Sequence, residues 1–431
     1  AEKYSEFGIS NALNDTYFAF YALGLGKLLK SKGILGFIAP NTWKLIASAR
    51  DFRKELLSSY QLVQIVDHVN KVFSDATVDV DTLIVKKDKP TKEIQILFMN
   101  FEVVEKSNFV RLSNLTKQEF INPYLTEDDY KLKEKIAKQS VFLKDELIIK
   151  NGVKPYEKGK GKPAQTAQIM AEKPFTSPIK GDDSFSPLIG GSSFQRYKLL
   201  WNDDNWIQYG DWLAAPREKA IFEAEEKLIF RQTSDSIIGT LIGKNYIMRN
   251  NTHIVLNKEG SDFGLKYVLA LLNSKLTNWY YWTINPERGE AMAEVKAFHL
   301  GLLPLKKLPI IEQETLSNLT DKMLSVSTDR NKKRQQFLTR LTDNFELTKI
   351  SKKLEKFDSL SFKEFLTELK KAKVSLSLKA QDEWSDYFED YKADLSALTA
   401  ELTATDAEID RLVYQLYELT EEEVKIVEGE E

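Results

Sequence analysis

The chain has 431 residues, 42% of them hydrophobic and 29% charged, enough apolar mass for two or three cores. It has no cysteine, which excludes disulfides and thiolate metal sites and suits a reducing cytoplasm; its three histidines, His68, His253 and His299, are too far apart in sequence to read as a ligand pair. The net charge of −3 hides a division: residues 401–431 carry −9, the other 400 carry +6, and 141–311 carry +4, a balance that permits a DNA-binding face without requiring one.

The start, Ala1-Glu2-Lys3-Tyr4, has no initiator Met and no targeting signal, and reads as a chain that begins in mid-protein. Leu13, Tyr17, Phe20, Tyr21, Leu25, Leu28 and Leu29 recur at helical spacing, and Gly33 ends that helix. The apolar run 34–39 reads as a strand buried on both faces, stopped by Pro40. Residues 48–58 read as a helix, 62–69 as a second strand and 78–85 as a third, a reversed hairpin at the sheet edge. The signal over 89–140 is mixed and reads as a connection with some strands.

From 141 to 311 the pattern turns to short β segments (228–231, 237–242, 246–248, 253–256) separated by Gly, Asn and Ser. Within it, 151–187 reads as a long, partly mobile loop, and 265–282 as one helix. Residues 312–431 read as packed helical hairpins. Ser361/Glu364, Thr405/Glu408 and Thr420/Glu423 each have capping-box spacing. The expected architecture is therefore α/β plus α+β in four segments: 1–88, 89–140, 141–311 and 312–431. No phosphate loop, zinc or calcium motif, or nucleophilic triad is present.

A family resemblance adds to this. Tyr17-Phe18-Ala19-Phe20, the string Gly33-Ile34-Leu35-Gly36-Phe37-Ile38-Ala39-Pro40-Asn41-Thr42-Trp43, and Val72-Phe73-Ser74-Asp75-Ala76-Thr77-Val78 resemble the later half of the TaqI-like gamma-type adenine DNA methyltransferases. Pro187-Leu188-Ile189-Gly190-Gly191-Ser192-Ser193-Phe194-Gln195-Arg196-Tyr197 resembles the opening of that family's C-terminal specificity domain. The segment 409–423 resembles the end of the type IIG restriction-modification subfamily. The resemblance implies the C-terminal half of a methyltransferase sheet in 1–88, a β-rich DNA target-recognition domain in 141–311 and a helical tail. The family's Asn-Pro-Pro-Tyr motif and Gly-rich cofactor loop do not occur; Asn122-Pro123-Tyr124 reads as an ordinary turn.

By resemblance, the full protein uses S-adenosylmethionine, this chain holds no catalytic residue, and its partners are double-stranded DNA and the missing N-terminal methyltransferase region. Phe73 then stacks on a flipped adenine; the alternative is a core residue closing the hairpin. Trp43 lines the same pocket or packs. Gln195, Arg196, Arg231, Gln232, Arg249, Asn250 and Asn251 are candidate base readers, and Ser192, Ser193, Lys244 and Lys296 candidate phosphate or sugar contacts. The aromatic run Trp279-Tyr280-Tyr281-Trp282 reads as core more readily than as a stacking platform. Three other readings stay open: a non-enzymatic specificity subunit, a type IIG fragment with a nuclease domain, and a helical scaffold without DNA affinity.

Overall fold

The computed structural model describes residues 15–68, 72–74, 78–100, 103–117, 120–285, 287–288 and 293–429. They divide into two compact units, Ala1–Lys138 with Tyr280–Arg288, and Gln139–Trp279 with Gly289–Glu431.

The first unit is built on five strands: β1 (Ile34–Pro40), β2 (Gln61–His68), β3 (Val80–Lys86), β4 (Glu93–Asn100) and β5 (Val103–Arg111), in the order β1-β3-β2-β4-β5. Only β2 and β4 run parallel. Helix α1 (Thr16–Ala22) continues into a π-helical turn, and α2 (Arg50–Ser59) links β1 to β2. The helices bury Phe18, Tyr21, Phe52 and Leu56 with Trp43 against the sheet, and Trp43 and Tyr21 both meet the Phe52 ring. A further helix, α3 (Glu127–Lys138), buries Tyr130, Leu132 and Ile136.

Two expectations change here. The apolar run that forms β1 is an edge strand, and of its residues only Ala39 is buried; a continuous apolar run does not reveal which strand lacks a neighbour. The β2/β3 pair is interior, because β4 and β5, expected as part of a connection, extend the sheet beyond it.

In the second unit, β6 (Leu147–Asn151), β7 (Glu226–Arg231), β8 (Gly239–Gly243) and β9 (Thr252–Asn257) form an antiparallel sheet in the order β8-β7-β9-β6. A second sheet joins Ile247–Met248, Phe185–Ile189, Trp206–Gln208 and Thr176–Ser177. Ile229, Ile242 and Ile254 of the first sheet share a core with Leu188, Ile189, Ile207 and Met248 of the second. These strands match the β segments expected from the sequence to within two residues at most ends.

The segment 151–187, expected as a mobile loop, contains the helix Ala167–Glu172 and is pinned by buried Gln165. That side chain accepts from Glu157 N at 2.8 Å and donates to Pro155 O and Trp212 O, each at 2.8 Å. The expected single helix 265–282 is two, α4 (Leu265–Asn273) and α5 (Lys275–Ile284). Ser274 is extended between them (φ −68°, ψ 158°) and its Oγ caps α5, accepting from Thr277 N at 3.2 Å. Trp279, Tyr280 and Tyr281 are buried, as core residues.

The tail comprises α6 (Glu314–Phe345), α7 (Phe362–Lys371), α8 (Leu378–Leu416) and α9 (Glu421–Glu428), with α6 and α8 packed along each other. Phe337, Phe357, Phe365 and Phe388 form its aromatic centre. Ser361/Glu364 and Thr420/Glu423 are reciprocal capping boxes. Thr405/Glu408 is not: Thr405 lies inside α8, with its hydroxyl donating back to Glu401 O at 2.8 Å, as a helix-interior threonine does.

Candidate nucleic-acid interface

The loop from β2 to β3 in the first unit carries Phe73. Its side chain is 45% exposed and stands with exposed Val72. An aromatic in a closed core would be covered; among the described residues the Phe73 ring is not packed into one. Trp43, in contrast, is fully buried and donates from Nε1 to Asp81 Oδ2 at 3.1 Å, which assigns it to packing.

The same unit holds a buried charged network that no local sequence motif marks. Asp67 near the end of β2 pairs across the ladder with Asp81 at the start of β3. Between them the Lys44 ammonium donates to Asp67 Oδ2 at 3.0 Å and Asp81 Oδ1 at 3.2 Å. Tyr124 Oη donates to Asp67 Oδ2 at 3.1 Å. Burial pushes the Asp81 carboxyl up to about 6 despite the opposing pull of Lys44. For Lys44, burial favours the neutral amine, but Asp81 and Asp67 outweigh it and the group is held above its usual range. Two Asp residues in otherwise apolar strands were the available signal. Asn122-Pro123-Tyr124 is the expected turn, with Asn122 Oδ1 accepting from Tyr124 N at 3.0 Å.

In the second unit, the polar loops converge at one end of the β6–β9 sheet. Arg231, the last residue of β7, pairs with Thr252, the first of β9. Backbone bonds then tie neighbouring loops together: Gln232 N to Asn251 O at 3.1 Å, Val295 N to Gln232 O at 2.7 Å, and Arg249 N to Ile189 O at 2.8 Å. His253 Nε2 adds a bond to Val295 O at 2.6 Å. The turn 190–193 is joined through Gly191 N, which donates to Asn251 Oδ1 at 3.2 Å. On this scaffold Ser192, Gln195, Thr233, Arg249 and Lys296 are exposed, and Ser193, Gln232 and Asn250 are half-buried.

Other sequence candidates are engaged elsewhere. Arg231 donates from Nε to Phe194 O at 3.0 Å, again from Nη2 to the same oxygen, and lies over the Phe194 ring; it fastens the strand pair Phe194–Gln195/Lys198–Leu199 to β7. Arg196, in the turn of that hairpin, forms a two-point ion pair with Asp406 of α8. Asn251 spends its side-chain oxygen on Gly191, and Ser193 Oγ accepts from Gly190 N at 3.3 Å. Lys244 follows β8 at the opposite end of β7 from Arg231, because Gly243 pairs with Glu226, and it is bound to Glu225 at 2.9 Å. The convergent set is thus Ser192, Gln195, Gln232, Arg249, Asn250 and Lys296, with Thr233 added. Arg196, Arg231 and Asn251 are framework, and Lys244 lies apart.

The hairpin is seated closely. Tyr197 N donates to Gly239 O at 3.0 Å, and Asn273 brackets Gly239 from both sides, each bond 3.0 Å. A Cβ on Gly239 would lie 2.2 Å from the Phe230 ring, so only glycine fits there. Among the described residues no His, Asp and Glu side chains gather as a metal site, and no helix is long and apolar enough to cross a membrane.

Comparison with known proteins locates these features. Residues 186–305 match the TaqI-like C-terminal specificity domain, residues 1–73 match the Eco57I restriction-modification methylase, and residues 309–413 match a domain of unknown function (DUF8810). A Methanocaldococcus jannaschii protein, RM.MjaORFECS2P, whose name describes a type II restriction enzyme and methyltransferase, is 23% identical over 268 residues, covering 61% of this chain and 22% of that one. Similar solved structures include the type IIL restriction-modification enzyme MmeI in complex with DNA (14% identity, TM-score 0.47, 92% of this chain and 52% of that one). The type IIG restriction endonuclease BpuSI is another (11% identity, TM-score 0.29, 93% and 49%). The chain spans about a fifth of the curated relative's length and about half of these structures.

Proposed function

We propose that this chain, with its TaqI-like specificity domain and its restriction-modification methylase segment, is the DNA-reading part of an adenine-specific DNA methyltransferase. One observation carries the reading. The loops 190–193, 231–234, 249–251 and 293–296 meet at one end of a sheet inside the specificity-domain match and leave polar side chains exposed there. In the major groove, Arg249 suits the two acceptors of guanine, and Asn250 or Gln232 the donor–acceptor pair of adenine. Lys296 and Ser192 suit phosphate or sugar oxygens, which fix register without reading sequence.

Methylation of an adenine amino group requires the base to leave the stack. Phe73, exposed on its loop, offers a ring face for it. S-adenosylmethionine would supply the methyl group in the whole protein. The residues of this chain do not fit that cofactor: neither the Gly-rich loop nor Asn-Pro-Pro-Tyr occurs, and no catalytic step falls to them. A methyltransferase region would supply both as partner. Among the described residues the outer edge of β1 is unpaired, with Ile34 exposed on it and Phe20 and Leu28 exposed before it, which suits pairing with such a region. The methylase-like first unit favours this reading over a bare specificity subunit.

The test is fluorescence anisotropy of the full chain with labelled duplexes of varied sequence. Tight binding to a subset of duplexes, weakened by salt, is expected; equal or absent binding across all of them would end the proposal.

A further inference from the structure

The second unit holds a basic cluster that base reading does not use. In the strand pair Phe194–Gln195/Lys198–Leu199, Gln195 lies directly opposite Lys198, and opposed residues of an antiparallel pair project to one face. Lys198–Leu199 lies beside α6 of the tail, with Arg330 and Arg334 within electrostatic reach of the Lys198 amine. One carboxylate serves both arginines: Asp358 Oδ2 accepts from Arg330 Nη2 at 3.3 Å and from Arg334 Nη2 at 2.5 Å. Arg330 Nε is turned to Thr399 Oγ1 at 2.7 Å, while Arg334 Nε is buried without a hydrogen-bond partner. The Lys198 side chain makes no hydrogen bond or ion pair among the described residues.

Three cations thus face one carboxylate, an excess of two positive charges in a half-buried setting. Burial first, and then the two arginines, lower the Lys198 amine to about 8. Such crowding is relieved by an incoming anion. The anion nearest at hand for a chain that reads duplex DNA is the backbone phosphate, and Lys198 of the cluster shares a face with Gln195, itself exposed beside the reading loops.

We propose that Lys198, Arg330 and Arg334 form a phosphodiester-binding site through which the helical tail holds the backbone of the duplex that the specificity domain reads. This rests on the reading of the second unit as a duplex-DNA binder. It gives the tail a role in binding, with α6 and the Lys198 strand contributing to one site.

Lys198→Gln is the clean variant, since the Lys198 side chain has no hydrogen bond or ion pair to lose. In salt titrations of the full chain on duplex DNA, it should weaken preferred and non-preferred sequences by the same factor. It should also reduce the slope of log K against log[salt] by about 1. Arg330→Gln, checked for folding by circular dichroism, should do the same, and Lys198→Glu should weaken binding further. Unchanged affinity and slope in Lys198→Gln, with wild type binding normally, would overturn the phosphate site while leaving the reading intact. A change in preferred sequence would overturn it too, because the residue would then read bases. A wild-type chain with no duplex affinity would instead defeat the underlying reading.

Discussion

Arg196 and Asp406, 210 residues apart in sequence, form a two-point ion pair, Nη1 to Oδ2 at 3.0 Å and Nη2 to Oδ1 at 2.6 Å. The planar guanidinium matches the carboxylate fork. The pair joins the turn of the Phe194–Leu199 hairpin to helix α8, so the specificity segment and the tail share one compact unit. The guanidinium also lies over the Tyr197 ring. Arg196 therefore orders the hairpin.

Breaking this pair should cost stability. Arg196→Ala and Asp406→Ala should each destabilise the second unit by about 1–2 kcal/mol, and the double variant should lose little more, leaving a coupling energy near 1 kcal/mol in a double-mutant cycle. Thermal melting measures it. Additive losses would mean that Arg196 acts on something other than Asp406.

Asp410, one turn further along α8, accepts from the first free amide of α5, Lys275 N, at 2.8 Å. Burial is the main cause that pushes its carboxyl up to about 6. In the unfolded chain it titrates near 3.9. Between those values the folded form binds the proton and the unfolded form does not, so this group's contribution falls as pH rises from about 4 to 6. The full change is about 2–3 kcal/mol. Asp410→Asn removes it: the stability of wild type relative to the variant should decline from pH 4 to 6 and then level off. A difference independent of pH would contradict the assignment.

Lys44 is the sole cation bonded to the buried carboxylates of Asp67 and Asp81 among the described residues. Lys44→Met should cost the first unit about 3–5 kcal/mol, since it strands two buried acids. The loss should be smaller at pH 5 than at pH 8, because Asp81, whose carboxyl burial pushes up to about 6, is neutralised by a proton at the lower pH. Urea unfolding at both pH values checks this; an equal, small loss would show that solvent reaches the site.

Phe73→Ala should leave melting nearly unchanged, because the ring is not packed into a core. With the proposed methyltransferase region restored, the same change should weaken binding of the extrahelical adenine by about 1–3 kcal/mol, and Phe73→Trp should retain most of it. Fluorescence of 2-aminopurine at the target base reads this directly. A large fall in melting temperature with normal base flipping would make Phe73 structural.

Much of this fold was legible locally. His253-Ile254-Val255-Leu256 announced a strand by its β-branched run, and Ser361 announced α7 through its cap. What stayed hidden depends on distant partners. Nothing near β1 shows that it is an edge. Thr405/Glu408 has the spacing of a box, but a cap requires a non-helical residue, and α8 runs straight through. Ser274 breaks a helix with no Gly or Pro to mark it. Among the candidate readers, Arg196 and Arg231 looked free because their partners, Asp406 and the Phe194 carbonyl, lie 210 and 37 residues away.

The exposed loop end of the second unit is proposed to read duplex sequence. Selection of binding sites by the full chain from a randomised duplex pool, run in parallel with Arg249→Ala and Lys244→Ala, tests it most directly. Wild type should enrich one defined site. Arg249→Ala should lose discrimination at a single base pair, by about 1–3 kcal/mol, with the other positions kept. Lys244→Ala, at the far end of the sheet, should enrich the wild-type site unchanged. Enrichment of no sequence by wild type, or the same site from Arg249→Ala with only uniform weakening, would contradict the assignment of base reading to this surface.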